Sequence, residues 1–386
     1  MRDHPFVKER LFCPGPTPVP SEIGIAALHT DVYHRTDTFR NDFLECRRLL
    51  QPFFGCSEAP LILTSSGTGA LEAALVNLTA VGDSILVING GKFGERWEKI
   101  GKAYQCQVET YLIPWGTCPD VNQLVAKIKA LPRCKAVFFQ ANETSTGVAY
   151  PVEELTKAIR KNSEALVVVD AVSGMIAHRM EMDAWGVDCV VSGSQKGFGI
   201  PPGLSFIGLS KRAWGQLSDR PRFYFDLNKE RKGQESGETA WTPATTLVMS
   251  LLVALRQLSM LGPDACEKHH RLLSEASREA ARALGLELFP KSHYSQALTA
   301  MRLPPSIDGS ALIKHCRKSY GAIFAGGQDH LKGKIIRLAH LGMVDQLELL
   351  AGIAALEMGL IALGHKHSLG AGVGAAMKVF THSDAI

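Results

Sequence analysis

The sequence predicts an α/β fold, with a mostly parallel seven-stranded sheet that carries helices on both faces and a small α+β domain after it. Two observations support this prediction. From about residue 60, short apolar runs rich in Val, Ile and Phe alternate with amphipathic stretches such as 69–79 and 152–161. After residue 243, long helical patterns replace the short runs. Strands that are buried on both faces are continuously apolar, so the predicted strands are 61–65, 84–89, 108–114, 136–141, 166–171, 188–192 and 205–209.

The chain is predicted to divide near residue 262. The Pro-rich segment 13–20 excludes both a helix and a central strand, because proline lacks the N–H donor and fixes its own torsion. Gly262-Pro263 separates two long helical patterns, 245–261 and 264–284. The predicted divisions are an extended N-terminal arm (1–20), a large domain (21–262), a small domain (263–364) and a tail (365–386) to which the sequence assigns no role. The small domain is expected to contain strands 298–303 and 334–339 and helices 310–320 and 344–363.

Composition excludes several classes of protein. The 386 residues are 46% hydrophobic and carry a formal net charge of +4, which argues against a disordered chain and against a nucleic-acid-binding surface. The nine cysteines are scattered, with no CxxC pair, which predicts reduced thiols in a cytoplasmic protein and no metal site. The beginning of the chain lacks the pattern of a signal peptide, and the apolar run 247–255 is shorter than the ~20 residues of a membrane span. We therefore expect no membrane association.

Three features are predicted to meet at the carboxyl edge of the sheet, where parallel α/β folds bind ligands. Asp170 directly follows Val-Val-Val, and Lys196 lies just beyond the next strand in a tight, otherwise uncharged loop. The turn 65–69, Ser-Ser-Gly-Thr-Gly, joins a strand to a helix and would direct N–H groups and hydroxyls at an anion such as a phosphate. Each feature also has an ordinary explanation when taken alone: a turn or helix-cap aspartate, a plain N-cap, and a loop lysine without chemistry.

Taken together, the three features favour one cofactor. Pyridoxal 5′-phosphate needs a phosphate cradle, a lysine that holds it as an imine, and a carboxylate that keeps its pyridine nitrogen protonated. A lysine in such a loop is neutral for part of the time and can attack a carbonyl group. The sequence therefore predicts a pyridoxal-phosphate site with Lys196 and Asp170 as its catalytic residues.

The sequence resembles the class V aminotransferases, and within them the alanine–glyoxylate and serine–pyruvate aminotransferase group. The string Ser-Gly-Ser-Gln-Lys at 192–196, with Val-Asp upstream of it, is specific for this group among pyridoxal-phosphate enzymes. The resemblance covers nearly the whole chain, from about residue 11 to about residue 345, and implies a fold-type I transferase. The segments that carry it are 13–17, 66–72, 143–148, 169–174 and 192–196.

The resemblance also implies a role for individual residues of the cofactor site. Phe93 occupies the position of the aromatic ring that stacks on the cofactor, where close relatives often have tryptophan. Thr144 matches a hydroxyl position near the ring oxygen of the cofactor. The residues implied to bind the cofactor are Ser66, Gly67, Thr68, Phe93, Thr144, Asp170, Gln195, Lys196, Thr239 and Thr242.

Two of these residues imply a dimer. Thr239 and Thr242 match a loop that reaches the phosphate in the partner subunit, so the resemblance implies a homodimer with contacts to the cofactor across the subunits. Thr239 stands where some relatives have tyrosine.

For the substrate, the resemblance implies that Arg337 grips the α-carboxylate and that the backbone around Gly15 lines the same pocket. Arg35 would add a second positive charge, although a surface or interface position is the more ordinary interpretation. The expected reaction is the transfer of an amino group from a small amino acid (alanine, serine or aspartate) to a 2-oxo acid such as glyoxylate or pyruvate.

Three alternatives remain open from the sequence. A cysteine desulfurase needs a nucleophilic cysteine on a mobile loop and typically has histidine before the lysine, whereas Gln195 stands there and Cys316 lies in a helical pattern. A lyase or decarboxylase shares the first steps of the chemistry. A binding or assembly protein that kept the fold without its catalysis is the third alternative.

Overall fold

The structure, a computed structural model, describes residues 7–28 and 31–382. Within them the strands are β1 (Arg10–Phe12), β2 (Leu61–Leu63), β3 (Ser84–Asn89), β4 (Gln107–Leu112), β5 (Cys134–Gln140), β6 (Asn142–Glu143), β7 (Val148–Ala149), β8 (Leu166–Asp170), β9 (Cys189–Gly193), β10 (Ser205–Leu209), β11 (Glu287–Leu288), β12 (Leu298–Arg302), β13 (Ala322–Gly326) and β14 (Ile335–Ala339). The helices are α1 (Ser21–Ala26), α2 (Asp37–Phe54), α3 (Gly67–Leu78), α4 (Lys92–Ala103), α5 (Val121–Lys129), α6 (Val152–Asn162), α7 (Met182–Trp185), α8 (Lys211–Trp214), α9 (Leu227–Gln234), α10 (Thr245–Ala283), α11 (Gly309–Tyr320), α12 (Gln346–Ala362) and α13 (Ala371–His382), with a 3₁₀ turn at Asp329–Leu331.

The large sheet has seven strands in the order β2-β10-β9-β8-β5-β3-β4. Only β10 runs against its neighbours, since it pairs antiparallel with both β2 and β9. The other pairs, from β9 to β4, are parallel. The predicted mostly parallel seven-stranded sheet is therefore confirmed.

Both faces of this sheet are covered, which explains why its strands are continuously apolar in sequence. In β8, Val167 and Val169 belong to one hydrophobic cluster, which includes residues of α2, α5, α6 and the first half of α10. Leu166 and Val168 belong to another, which includes residues of α3 and Trp97 of α4. Successive side chains of a strand point to opposite faces, so a strand between two helical layers needs apolar residues at every position.

A second sheet has five strands in the order β1-β13-β14-β12-β11. Strand β1, from the predicted arm, lies parallel to β13 with Arg10 opposite Ala322. The arm thus begins as an edge strand of the C-terminal sheet before its proline-rich part turns toward the large sheet. The proline pattern starts only at Pro14 and therefore gave no indication of this strand.

Helix α10 contains the predicted break. Gly262 has φ 79° and ψ 167°, so the two predicted helices follow one another across a kink. By length and composition, α10 is the one helix of the described residues that meets the criteria for a membrane span. Its residues Val248, Leu251 and Leu255 are buried in the cluster that also contains residues of α2.

The tail, to which the sequence assigned no role, forms helix α13 over most of its described length. This helix packs against α10 and α12, and its residue Ala376 is fully buried. Gly372 lies close to Leu284, since a Cβ there would come within 3.0 Å of the leucine side chain. Gly372 and Ala376 are therefore packing residues that allow a close approach of α13.

Candidate active site

The proline-rich part of the arm wraps the loop that carries Lys196. The Thr17 hydroxyl donates to the carbonyl oxygen of Lys196 at 3.0 Å, and its N–H donates to that of Gln195 at 3.1 Å. The Lys196 amine donates to the carbonyl oxygen of Pro14. At Gly15, where φ is +124°, a Cβ would lie 2.5–2.7 Å from Nζ, Cε and Cδ of Lys196. Any larger residue at this position would therefore have to displace the end of the Lys196 side chain.

Burial changes the proton affinity of Lys196. It lowers the pKa of the amine from 10.5 to about 8, and the negative charge of Asp170 opposes the shift. An amine with this pKa is neutral in a sizeable fraction of molecules near neutral pH, and only the neutral amine is a nucleophile or a base. The environment of Lys196 therefore suits covalent and proton-transfer chemistry.

Asp170 ends strand β8, opposite Val191 of β9, so it lies at the carboxyl edge of the sheet as predicted. Its carboxylate accepts the N–H of Val172 at 2.8 Å. Burial raises the pKa of Asp170 to about 6, while this hydrogen bond and the positive charge of Arg96 act in the other direction. The carboxyl group is thus mostly ionised at neutral pH despite its burial.

The anion site predicted from the sequence would lie at the start of α3. Ser66 is the N-cap of this helix, and its side chain accepts no capping hydrogen bond. At Gly67, a Cβ would come within 2.8 Å of Val172, which places the first turn of α3 beside the residue that bonds Asp170. The hydroxyl oxygen of Thr68 accepts from Arg96 Nη1 at 3.1 Å. The side-chain oxygen of Gln195 is buried and has no hydrogen-bond partner within residues 7–28 and 31–382.

A buried carboxylate, Glu143, fixes the start of α4. It accepts the N–H groups of Phe93 and Gly94 at 3.2 and 3.1 Å and the side-chain amide of Gln140 at 2.7 Å. Ser145 donates to the same carboxylate through both its N–H and its hydroxyl. Burial raises the pKa of Glu143, and these hydrogen bonds counteract the rise. The position of the Phe93 ring is therefore set by a carboxylate about fifty residues further along the chain.

Arg337, on β14 of the second sheet, contacts the segment that follows Glu143. The residue is 7% exposed; its Nε donates to the carbonyl oxygen of Gly326 at 3.0 Å and its Nη1 to that of Thr144 at 2.8 Å. The Thr144 hydroxyl shares a 2.5 Å hydrogen bond with the Ser173 hydroxyl. Burial lowers the pKa of Arg337 to about 10, and the negative charge of Glu143 opposes the shift. Two neutral carbonyl groups hold the guanidinium without neutralising it, which leaves its charge for an anionic ligand.

Most residues predicted for the site are linked by these contacts, but two are not. Contacts join Gly15 to Lys196, Gly67 to Asp170 through Val172, Thr68 to Phe93 through Arg96, and Thr144 to Arg337, and the charges of Asp170 and Arg337 act on Lys196. The hydroxyl of Thr239 donates within its own loop, to Trp241. Thr239 and Thr242 instead line a surface cavity of about 410 Å³ together with His34 and Arg35. In the described part of the chain, no hydrogen bond connects these four residues to Lys196 or Asp170.

Three residues of the site escaped the sequence reasoning. Glu143 stands in a segment that supports the resemblance, but its role as the anchor of α4 depends on a contact between distant segments. Ser173 orients Thr144 in the same way. Arg96 had a local signal, because it follows Phe93 by three positions and so lies on the same face of helix α4.

The comparisons with known proteins agree with this geometry. The family model described as aminotransferase class V matches residues 22–330. The chain belongs to the class V aminotransferases.

Its similarity to individual known proteins extends over nearly its whole length. It is 38% identical to the soluble hydrogenase 42 kDa subunit of Anabaena cylindrica, covering 97% of this chain and 99% of the relative. It is 34% identical to the serine–glyoxylate aminotransferase of Hyphomicrobium methylovorum, with 97% and 95% coverage. The solved structure of a subgroup IV aspartate aminotransferase from Thermus thermophilus superposes with a TM-score of 0.87 at 33% identity, covering 92% of this chain and all of that one.

Class V aminotransferases use pyridoxal 5′-phosphate, and the site of this aminotransferase fits that cofactor. The uncapped start of α3 suits the phosphate, and the orphaned side-chain oxygen of Gln195 marks a polar group that still needs a partner. Asp170 would pair with the pyridine nitrogen, Phe93 would stack on the ring and Lys196 would hold the aldehyde carbon. When bound, the cofactor supplies an aldehyde that exchanges amines and a protonated ring that accepts the electron pair of the substrate α-carbon.

Proposed function

We propose that this aminotransferase transfers the amino group of a small amino acid (alanine, serine or aspartate) to a short 2-oxo acid, with glyoxylate or pyruvate as the acceptor. The observation that carries the proposal is the buried guanidinium of Arg337, whose hydrogen bonds go to two backbone carbonyl oxygens and whose Nη2 bonds no group in the described part of the chain. An arginine held in this way is preorganised for the α-carboxylate that amino acids and 2-oxo acids share.

The other residues divide the remaining tasks. Lys196, with its pKa lowered to about 8 by burial, would take the proton from the α-carbon of the amino acid and deliver it to the cofactor within the same half-reaction; the second half-reaction would run the same transfers in reverse on the 2-oxo acid. Asp170, mostly ionised at neutral pH, would hold the ring nitrogen of the cofactor in its protonated form. Gly15, which has no Cβ, leaves the space that the end of the Lys196 side chain occupies.

The choice of substrates draws on the relatives. The Hyphomicrobium relative is named for serine and glyoxylate and the Thermus structure for aspartate, which favours small or acidic donors. The Anabaena relative is named as a hydrogenase subunit, and a role within a larger assembly is the second candidate that this name supports. The chemically active residues favour amino transfer, since all the groups that it needs are linked in one site.

We also propose a homodimer. The loop with Thr239 and Thr242 carries an aromatic group at its border, in which the rings of Phe223 and Tyr224 lie 4.8 and 5.9 Å from that of Trp241. Phe223 is 70% exposed and Tyr224 45% exposed. A second copy packed on this loop would cover the rings and bring the two threonines to its own phosphate site, which the resemblance implies.

A half-reaction screen tests the proposed substrates. The cofactor-loaded protein is mixed with single amino acids, and the loss of the visible cofactor absorbance is followed; glyoxylate, pyruvate and 2-oxoglutarate are then tested for its recovery. Alanine, serine or aspartate should react fastest, and glyoxylate or pyruvate should restore the absorbance. A lyase or decarboxylase would form product without any amino acceptor, which would refute amino transfer.

Two variants connect the screen to the site. Lys196→Ala should lose the visible absorbance of the resting protein, and undiminished amino transfer by this variant would contradict its assignment. Arg337→Lys should raise the KM of every amino acid about ten-fold or more, because lysine cannot form the two-pronged pair with a carboxylate. An equal KM in this variant would show that the carboxylate binds elsewhere.

A further inference from the structure

Arg96 is a half-buried residue of α4 that contacts two parts of the cofactor site at once. Its guanidinium carbon lies 4.8 Å from the centroid of the Phe93 ring. Its Nη1 donates to the hydroxyl oxygen of Thr68 at 3.1 Å. Phe93 and Thr68 belong to different helices, and they are the residues expected at the ring and at the phosphate of the cofactor.

We propose that Arg96 is a positioning residue that fixes Phe93 and Thr68 relative to each other and supplies a permanent positive charge beside the phosphate of pyridoxal 5′-phosphate. This inference rests on the cofactor site and is independent of which amino acid and 2-oxo acid react.

The hydrogen bond to Thr68 has a directional consequence. A threonine hydroxyl has one proton to donate and two lone pairs that accept. Because Arg96 can only donate, the Thr68 oxygen must accept in this pair, and its proton stays available for another acceptor. The start of α3 is where such an acceptor would be a phosphate oxygen. Arg96 therefore sets Thr68 as a donor toward an anion.

The charge of Arg96 is not neutralised locally. Among the described residues, no carboxylate lies within 4.0 Å of its guanidinium, whereas Lys92 and Lys99 on the same helix both pair with Glu95. Its positive charge is one of the influences that lower the pKa of both Asp170 and Lys196, which places it near the reacting groups. A cation without a carboxylate partner, beside the start of a helix, is arranged for a ligand with a negative charge.

Only arginine can both stack on the Phe93 ring and donate a hydrogen bond to Thr68 from the same position. The planar guanidinium stacks on an aromatic face and still donates from its edge, whereas an ammonium group cannot do both from one position. Glu143 holds the backbone of Phe93 from the other side, so the ring is fixed at both its main chain and its face.

The test compares Arg96→Met, which keeps an unbranched stem but removes the charge and the donors, with Arg96→Lys, which keeps the charge but loses the planar guanidinium. The control is Lys99→Ala, which removes an exposed charge from the same helix. Each protein is prepared without cofactor, and the dissociation constants of pyridoxal 5′-phosphate and of pyridoxal, which lacks the phosphate, are measured from the visible absorbance. The pH titration of that absorbance is recorded in parallel.

We expect Arg96→Met to raise the dissociation constant of pyridoxal 5′-phosphate about ten-fold or more, equal to ~1.4 kcal/mol per factor of ten, and to affect pyridoxal less. The midpoint of the pH titration should move upward, because a positive charge near the lysine nitrogen is lost. The dissociation constant of Arg96→Lys should lie between those of Arg96→Met and the wild type. The control Lys99→Ala should match the wild type in every measurement.

Dissociation constants within two-fold of the wild type in Arg96→Met would overturn the proposal. So would an equal loss for pyridoxal and its phosphate together with an unmoved pH midpoint, because that pattern describes a merely structural arginine. If the Met variant fails to fold, Arg96→Gln takes its place under the same criteria. The assay contains no amino acid, so an error in the proposed substrates cannot produce either result.

Discussion

A single methyl group at Gly15 tests the arrangement of the arm against Lys196. In Gly15→Ala the new Cβ would lie 2.5–2.7 Å from the last three atoms of the lysine side chain, closer than real Cβ contacts. These atoms are the flexible end of a side chain, so the steric overlap can be relieved by moving them. The moved end is the amine that holds the cofactor, however, and the relief displaces the reacting group.

Two effects of different size follow from this geometry. The backbone at φ +124° is unfavourable for alanine and costs ~1–3 kcal/mol of unfolding free energy. A displacement of the amine by about 1 Å reduces the rate of amino transfer ~100-fold, because catalysis depends on the alignment of the reacting atoms. The loss of activity should therefore exceed the loss that partial unfolding explains.

The assay separates these effects. Urea unfolding of the cofactor-free protein gives the stability, and borohydride reduction followed by peptide mapping gives the fraction of cofactor joined to Lys196. Gly24→Ala serves as the control, since a Cβ there would meet no atom within 4 Å and alanine favours the helix by about 0.5–1 kcal/mol. A Gly15→Ala protein with normal cofactor attachment and normal rate would refute the proposed contact between the arm and the lysine.

Three further predictions concern charge. In the cofactor-free protein, burial favours the neutral amine of Lys196, so the unfolded chain binds more protons than the folded one between pH 8 and 10.5. The free energy of unfolding should therefore rise with pH through that window by up to ~3 kcal/mol. Urea unfolding of Lys196→Met should show no such rise. Asp170→Asn should still attach the cofactor, as seen by its absorbance, but should transfer amino groups at least ~100-fold more slowly, and a rate near that of the wild type would contradict its assignment. The 2.9 Å ion pair of Lys92 with Asp329 links α4 to the 3₁₀ turn that precedes β14, the strand of Arg337. Asp329→Asn should therefore raise the KM of the amino acid a few-fold while changing the free energy of unfolding by less than ~1 kcal/mol. The surface variant Glu153→Gln should change neither quantity.

The sequence could predict that Asp170 and Lys196 lie at the same edge of the sheet, because parallel strands end at one edge. Asp170 and Lys196 each follow an apolar run, and β8 and β9 are direct neighbours in the sheet. Local pattern alone was therefore enough to bring a carboxylate and an amine together. The anion site at α3 was found for the same reason, since a strand, a small polar turn and a helix follow one another directly in the chain.

Contacts between distant segments could not be predicted in this way. The carbonyl group of Pro14 meets an amine 182 residues away, and nothing in the arm indicates which loop it will cover. The carbonyl groups that hold Arg337 belong to Thr144 and Gly326, and a carbonyl group has no sequence signature. Thr239 and Thr242 line a surface cavity with His34 and Arg35, and in the proposed homodimer a second subunit would bring them to its phosphate site.

The chemistry of the site follows from the unfavourable energy of burying its charges. Lys196 and Arg337 have lowered pKa values, and Asp170 has a raised one, in each case mainly because burial disfavours the charged form. Their opposite charges offset only part of this effect, so the lysine approaches neutrality while the aspartate stays mostly ionised at neutral pH. A lysine that is neutral in part of the molecules and an aspartate that is mostly charged are what amino transfer requires of these two positions. Burying these charges raises the free energy of the protein alone, and a cofactor and a substrate that bring complementary charges would offset that energy on binding.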